Sequence, residues 1–124
     1  MTTQNNHILV VEDEPDGQEV VSRMLNYVGI TSDTVGNAED ALQNLTQEAY
    51  NGIVIDLMLP QMDGVQLMRE IRQNTALVDL PCIAITAFHT SAVKQEALAA
   101  GFNAYLAKPL DDTAFLRAID AMLS

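Results

Sequence analysis

Strand-like and helix-like stretches alternate five times along these 124 residues, which predicts an α/β fold. The expected architecture is a single doubly wound (βα)5 domain whose parallel sheet runs in the order 2-1-3-4-5. Three observations carry this. The strand candidates are short apolar runs rich in β-branched residues, as expected of strands buried on both faces. Between them lie apolar stripes at helical spacing, closed by Gly or opened by capping residues. The run Gly52-Ile-Val-Ile-Asp56 then ends on a carboxylate followed by the turn chemistry Leu-Met-Leu-Pro and Met-Asp-Gly. A charge on the last rung of an apolar strand is costly unless that end meets water or a counter-ion. In parallel sheets the carboxyl ends of the strands are where clefts form.

The elements follow in order. His7 to Val11 is a first buried strand, ending in the acidic run Glu12-Asp13-Glu14-Pro15-Asp16. The following helix carries Val20, Val21, Met24, Leu25 and Val28 on one stripe, and Gly29 closes it. The second strand, about Thr31 to Val35, is polar enough for a sheet edge. Asn37 caps a helix whose apolar face is Ala38, Ala41, Leu42, Leu45 and Ala49. After the strand of Asp56, Asp63-Gly64 opens a helix carrying Val65, Leu67, Met68 and Ile71. Pro81 to Ala87 is the fourth strand, with Pro only at its entry. Thr90 or Ser91 caps a helix with Val93, Ala97, Leu98 and Ala100, which Gly101 stops. Ala104 to Ala107 is the fifth strand. Asp111-Asp112 begin a last helix with Phe115, Ala118, Ile119, Met122 and Leu123 inward.

Composition narrows the function. Hydrophobic residues make up 48% and charged residues 19%, the balance of a globular chain, and residues 1–124 are expected to form one domain after a flexible tail of about residues 1–6. The net charge of −11 argues against this domain gripping nucleic acid or an anionic membrane directly. No apolar run approaches a membrane span. The N-terminus lacks signal-peptide character, and the one cysteine, Cys82, sits in an apolar strand, so a cytoplasmic location is expected.

The topology makes its own test, because the residues leaving strands 1, 3, 4 and 5 at their carboxyl ends should meet. These are Glu12 and Asp13, Asp56, Thr86, and Lys108, one of two lysines in the chain. Clustered carboxylates at ~4 Å repel by roughly 4 kcal/mol per pair at an effective dielectric near 20. A hard cation such as Mg²⁺ relieves this, and a carboxylate beside Mg²⁺ and Lys can attack phosphorus.

Taken together, Val10-Val-Glu-Asp13, Asp56-Leu-Met-Leu-Pro60 with Met62-Asp-Gly64, Ile85-Thr86-Ala87 and Tyr105-Leu-Ala-Lys108-Pro109 resemble the response-regulator receiver domains of two-component signalling, over nearly the whole chain. The resemblance implies a flavodoxin-like fold and a signalling switch that catalyses its own phosphorylation and slow dephosphorylation, with Asp56 as phospho-acceptor. It implies Mg²⁺, or Mn²⁺ in its place, held by Asp13, Asp56, the backbone carbonyl of Met58 and, through water, Glu12. Lys108 and Thr86 would contact the phosphoryl group. Thr86 and Tyr105 would form the switch that alters the face of the fourth helix, fifth strand and fifth helix. A cis bond at Lys108-Pro109 is expected as well. The implied partners are a histidine kinase or histidine phosphotransfer protein, docking near exposed Gln18, Glu19 and Arg23, and a downstream protein or effector domain. A phosphorylation-dependent homodimer stays open, as does the choice between a stand-alone receiver and part of a longer regulator or hybrid kinase.

Three other functions compete. An aspartate-nucleophile phosphohydrolase needs a second Asp two residues after the first, where this chain has Met58. A phosphate-independent interaction module would be expected to lack one of Asp56, Asp13, Lys108 or Thr86, and all are present. A flavin binder has little to stack on with three Tyr, three Phe and no Trp. Apolar Met58 and Phe88, each two residues past a site residue, cannot orient a hydrolytic water, so a long-lived phospho-Asp56 is expected. His7 and His89 are read as ordinary strand-start and loop residues.

Overall fold

The computed structural model describes residues 6–124; residues 1–5, which hold most of the expected tail, lie outside the described part. Ten elements alternate as the sequence predicts: β1 (His7–Val11), α1 (Pro15–Tyr27), β2 (Thr31–Val35), α2 (Ala38–Gln47), β3 (Gly52–Asp56), α3 (Gly64–Gln73), β4 (Cys82–Thr86), α4 (Ser91–Ala100), β5 (Ala104–Ala107) and α5 (Asp112–Leu123). The five strands form one sheet in the order β2-β1-β3-β4-β5, and every pairing is parallel. The order reverses direction between β1 and β3, where a parallel sheet opens a crevice at its carboxyl edge.

Alternation along the central strands splits the core in two. Leu9, Val11, Ile53, Ile55, Cys82 and Ala84 point towards α2, α3 and α4, where they meet Ala41, Leu67, Met68, Ile71 and Ala97. Ile8, Val10, Val54, Ile83 and Ile85 point the other way, against Val21, Leu25, Phe115 and Ile119 of α1 and α5. That two-sided burial explains why β1, β3 and β4 are continuous apolar runs rather than alternating ones. β2 is paired on one side only and stays partly exposed, as an edge strand should.

Local chemistry sets the helix boundaries. The side chains of Asn37, Asp63, Thr90 and Asp111 each accept a backbone N–H of the following helix, and Asp63 with Gln66 completes a reciprocal capping box. Thr90, not Ser91, is the cap of α4. α1 has no side-chain cap and relies on Pro15 at its first turn. Gly101 takes φ 119° after α4, and the N–H groups of Gly101 and Phe102 return to the carbonyls of Leu98 and Ala97, closing a Schellman turn.

That turn accounts for one departure from the expected core. Phe102, carried back by the left-handed glycine, is buried, whereas Leu98 is exposed on the outer side of α4. Val20 and Val28 are also exposed. Val28 already lies beyond the last turn of α1, and Ile30, one residue past Gly29, fills the buried position instead. Ala49 falls outside α2, which ends at Gln47, and is exposed. The Lys108-Pro109 peptide is cis, as expected.

Candidate functional site

Five side chains at the carboxyl edge of the sheet build the site. Glu12 follows β1 directly and is 0% exposed, while its neighbour Asp13 faces solvent. Asp56 is the last residue of β3 and is 3% exposed. Thr86 ends β4 and is fully buried. Lys108 follows β5, its peptide N–H donating to the Thr86 carbonyl at 2.8 Å, which fixes where its side chain departs.

The Lys108 amine bridges the two buried carboxylates. Its Nζ donates to Glu12 Oε1 at 2.6 Å and to Asp56 Oδ2 at 2.8 Å. Burial disfavours the charged amine, but the bonds to Asp56 and Glu12 outweigh it and hold its pKa above the usual lysine value. Burial raises the Glu12 pKa; the Lys108 hydrogen bond works against that, and nearby Asp56 works with it. The second oxygen of Asp56, Oδ1, accepts the Met58 N–H at 2.8 Å, so both carboxylate oxygens are fixed in place.

Ligand oxygens from Glu12, Asp13 and Asp56 lie within 4.8 Å of one another. Three hard oxygen donors around one point, two of them nearly removed from water, suit a divalent cation that keeps part of its hydration shell. One amine is too little positive charge for three carboxylates, so the donor set fits Mg²⁺ on chemical grounds.

Two glycines shape this pocket. A side-chain carbon at Gly17, in the first turns of α1, would collide with the Glu12 carboxylate. At Gly64, opening α3, it would come within 2.8 Å of both the Asp56 carbonyl oxygen and Leu57 Cα. The sequence reading used Gly64 only as a turn signal and passed over Gly17. A lone glycine inside a helical pattern is a cue for close approach. Gln18 Nε2 donates to the Glu12 carbonyl at 2.7 Å, a supporting contact with no signature in the sequence.

The remaining candidates lie around the rim. Thr86 Oγ1 accepts the Phe88 N–H at 3.0 Å, so its hydroxyl is engaged with the β4–α4 loop. Tyr105, half-buried on β5, places its hydroxyl 3.0 Å from His89 Nδ1, and the two rings pack 5.4 Å apart. His89 therefore has a partner that the sequence reading did not give it. Met58 and Phe88 are 51% and 65% exposed. Beside Lys108, a cleft of about 490 Å³ runs between α1 and the β5–α5 loop, past Glu12, Val20, Met24 and Pro109.

Comparison with known proteins agrees with this arrangement. Residues 8–120 match the family model of the response regulator receiver domain. A 14.6 kDa protein of the sodA1 3′ region of Leptolyngbya boryana is 38% identical over 90% of this chain and 86% of its own length. The osmosensing histidine protein kinase SLN1 of Saccharomyces cerevisiae is 38% identical over 83% of the chain, which spans only 9% of that protein. Among solved structures, the receiver domain of the sensor histidine kinase PA1611 from Pseudomonas aeruginosa, with a magnesium ion in its active site cleft, superposes with a TM-score of 0.88. It is 32% identical, with 97% of this chain and 98% of that one covered. No helix among the described residues is long and apolar enough to cross a membrane. Fold, carboxyl-edge cluster and family match converge: the chain belongs to the response-regulator receiver domains of two-component systems.

Proposed function

We propose that this receiver takes a phosphoryl group from a phosphohistidine donor onto Asp56, in a Mg²⁺-dependent step, and passes the change to a partner protein. The observation that carries the reading is the Lys108 amine shared between Glu12 and Asp56 at 2.6 and 2.8 Å. An amine poised between two carboxylates beside a third is placed to follow a migrating negative charge.

Asp13, Asp56, the Met58 carbonyl and, through water, Glu12 would hold the Mg²⁺. When bound, the ion supplies charge neutralisation for the transferring group. The chain's own residues do the rest. An Asp56 oxygen bonds to phosphorus as the P–N bond of the donor breaks, and the imidazole nitrogen keeps the electron pair and takes up a proton. Lys108 shifts its hydrogen bond from the Asp56 carboxylate to a phosphoryl oxygen while Glu12 keeps the amine in place. Exposed Ala87, beside Thr86, leaves room for the group.

The phosphoryl group adds about −1.5 to −2 charges and three acceptor oxygens. It thereby favours a state in which the Thr86 hydroxyl leaves Phe88 and donates to it. Tyr105, released from His89, then turns inward and alters the face of α4, β5 and α5, a population shift between two states. The donor's helix would use the α1 surface around Gln18, Glu19 and Arg23, next to the cleft that opens on Lys108.

Intact mass after incubation with Mg²⁺ and acetyl phosphate tests this. One added phosphoryl group in the native chain, and none in Asp56→Asn or without Mg²⁺, is the expected result. No adduct in the native chain, together with no response to a beryllofluoride mimic, would leave a phosphate-independent interaction module.

A further inference from the structure

A second cluster of ligating side chains lies away from Asp56, at the opposite end of β1. His7 opens that strand, with its Nδ1 2.7 Å from Thr31 Oγ1 and its Nε2 3.0 Å from Asp33 Oδ2. The Thr31 hydroxyl has one proton, which it donates to the Asn6 carbonyl at 3.1 Å. In the tautomer that keeps this bond, Thr31 accepts from the ring and Nδ1 carries the hydrogen. In the neutral ring Nε2 then presents a lone pair to a carboxylate oxygen at 3.0 Å. In that tautomer the two facing acceptors are joined by a cation, either a second proton or a metal.

The surroundings favour the metal. A proton needs one acceptor, but three groups converge: ligand atoms of His7, Asp33 and Glu48 all lie within 4.8 Å of one another. The first two are also braced from behind. Thr31 fixes the ring through Nδ1. Tyr50 donates its hydroxyl to Asp33 Oδ2 at 2.6 Å and stacks on the His7 ring, centroids 5.2 Å apart and 13° from parallel. Asn44 Nδ2 in turn donates to Tyr50 at 3.3 Å. Metal-ligating imidazoles characteristically donate their other N–H, and ligating carboxylates are held by a further hydrogen bond.

We propose that His7, Asp33 and Glu48 form a second metal site, for Zn²⁺, independent of the acidic pocket and of the phosphoryl chemistry. One imidazole nitrogen and two carboxylates are a Zn²⁺ donor set, with water completing the tetrahedron, whereas Mg²⁺ prefers oxygen alone. The two carboxylates balance the dication when the ring is neutral. The ion would tie β1, β2 and the end of α2 together across the exposed sheet edge.

Titration calorimetry and thermal melting with Zn²⁺ alone test this. The full chain would carry Asp13→Asn and Asp56→Asn, so that the acidic pocket does not compete. One Zn²⁺ per chain and a raised melting temperature are expected. Adding His7→Ala, or separately Glu48→Gln, should weaken binding at least about tenfold. Glu48 is exposed at the helix end, so its substitution reads out binding even where His7→Ala unfolds the chain. The ¹⁵N shifts of the His7 ring should show metal on Nε2 and hydrogen on Nδ1. No Zn²⁺ uptake in the pocket variant, or affinity unchanged by Glu48→Gln, would reduce the cluster to an ordinary ion pair and overturn the proposal.

Discussion

Met58 and Phe88, each two residues past a site residue, are both largely exposed and both without a polar group. Neither can orient or deprotonate a water molecule, so loss of the phosphoryl group should be slow, over minutes or longer in purified protein. Replacing Met58 with Asn or Gln supplies that missing group and should speed the loss, by up to about 100-fold, in a time course of the phosphorylated species. The residues that bear charge were legible in the sequence, because a carboxylate or lysine at a strand end has no structural excuse. The residues that support them were not. Gln18, Gly17 and His89 earn their contacts from three-dimensional neighbours, Glu12 and Tyr105, that lie 5 to 16 positions away along the chain. His7 reads in the sequence as a strand opener, and its bonds to Thr31 and Asp33 depend on the β1–β2 register, which no local pattern reveals.

At the level of elements, the β3–α3 connection and the C-terminus of α3 hold most of the unanticipated detail. Gln61 follows Pro60 with φ 67°, in the left-handed region that side-chain-bearing residues avoid at a cost of about 1–2 kcal/mol. Gln61→Gly should therefore stabilise the chain by up to about 1 kcal/mol, part of the gain being lost to the freer unfolded backbone. Denaturant unfolding would measure it. Nothing local in the sequence singles out Arg72, in the last turn of α3. In the fold its guanidinium donates to the carbonyls of Gly101, Leu77 and Val78 and to Asn103 Oδ1, tying α3, the loop after it and the α4–β5 turn together. Arg72→Ala leaves several part-buried acceptors unpaired and should cost about 2–3 kcal/mol or more. Arg72→Lys should recover only part of this, since a point charge cannot serve a fork of acceptors. Caps and strand boundaries, by contrast, are readable, because Asn37, Asp63 and Asp111 act on backbone N–H groups three residues away.

Over the whole molecule, the charge balance of the carboxyl edge sets how stability responds to pH and metal. The Glu12 pKa lies above its ordinary 4.5, chiefly through burial. A group raised in the folded state contributes fully below its unfolded value, and that contribution is lost as pH climbs through the folded one. Lys108, also raised, holds its contribution until pH passes its usual 10.5. Between these limits the metal-free fold carries an ionising buried carboxylate beside Asp56, so Mg²⁺ should stabilise more at about pH 8 than at about pH 5. At roughly ten times its dissociation constant the ion would add about 1.4 kcal/mol, a melting shift of about 5 °C that chelation abolishes. An Mg²⁺ effect that is absent, or larger in acid, would contradict this reading of the pocket. The sheet order was accessible in advance because five strand–helix alternations with right-handed crossovers leave few topologies. The depth at which α4 and α1 sit was not, since Leu98 and Val20 satisfy the helical spacing as well as the residues that are buried.

The contact at Gly64 has a mechanical consequence. With no side chain there, the first turn of α3 rests directly on the backbone of Asp56 and Leu57, leaving no slack between the end of β3 and the start of the helix. The capping box formed by Asp63 and Gln66 clamps the same turn from the other side. Any displacement of the Asp56 peptide should therefore push α3 along as a rigid lever, while the β4–α4 loop is tied down by two contacts that can exchange partners, Phe88 with Thr86 and His89 with Tyr105.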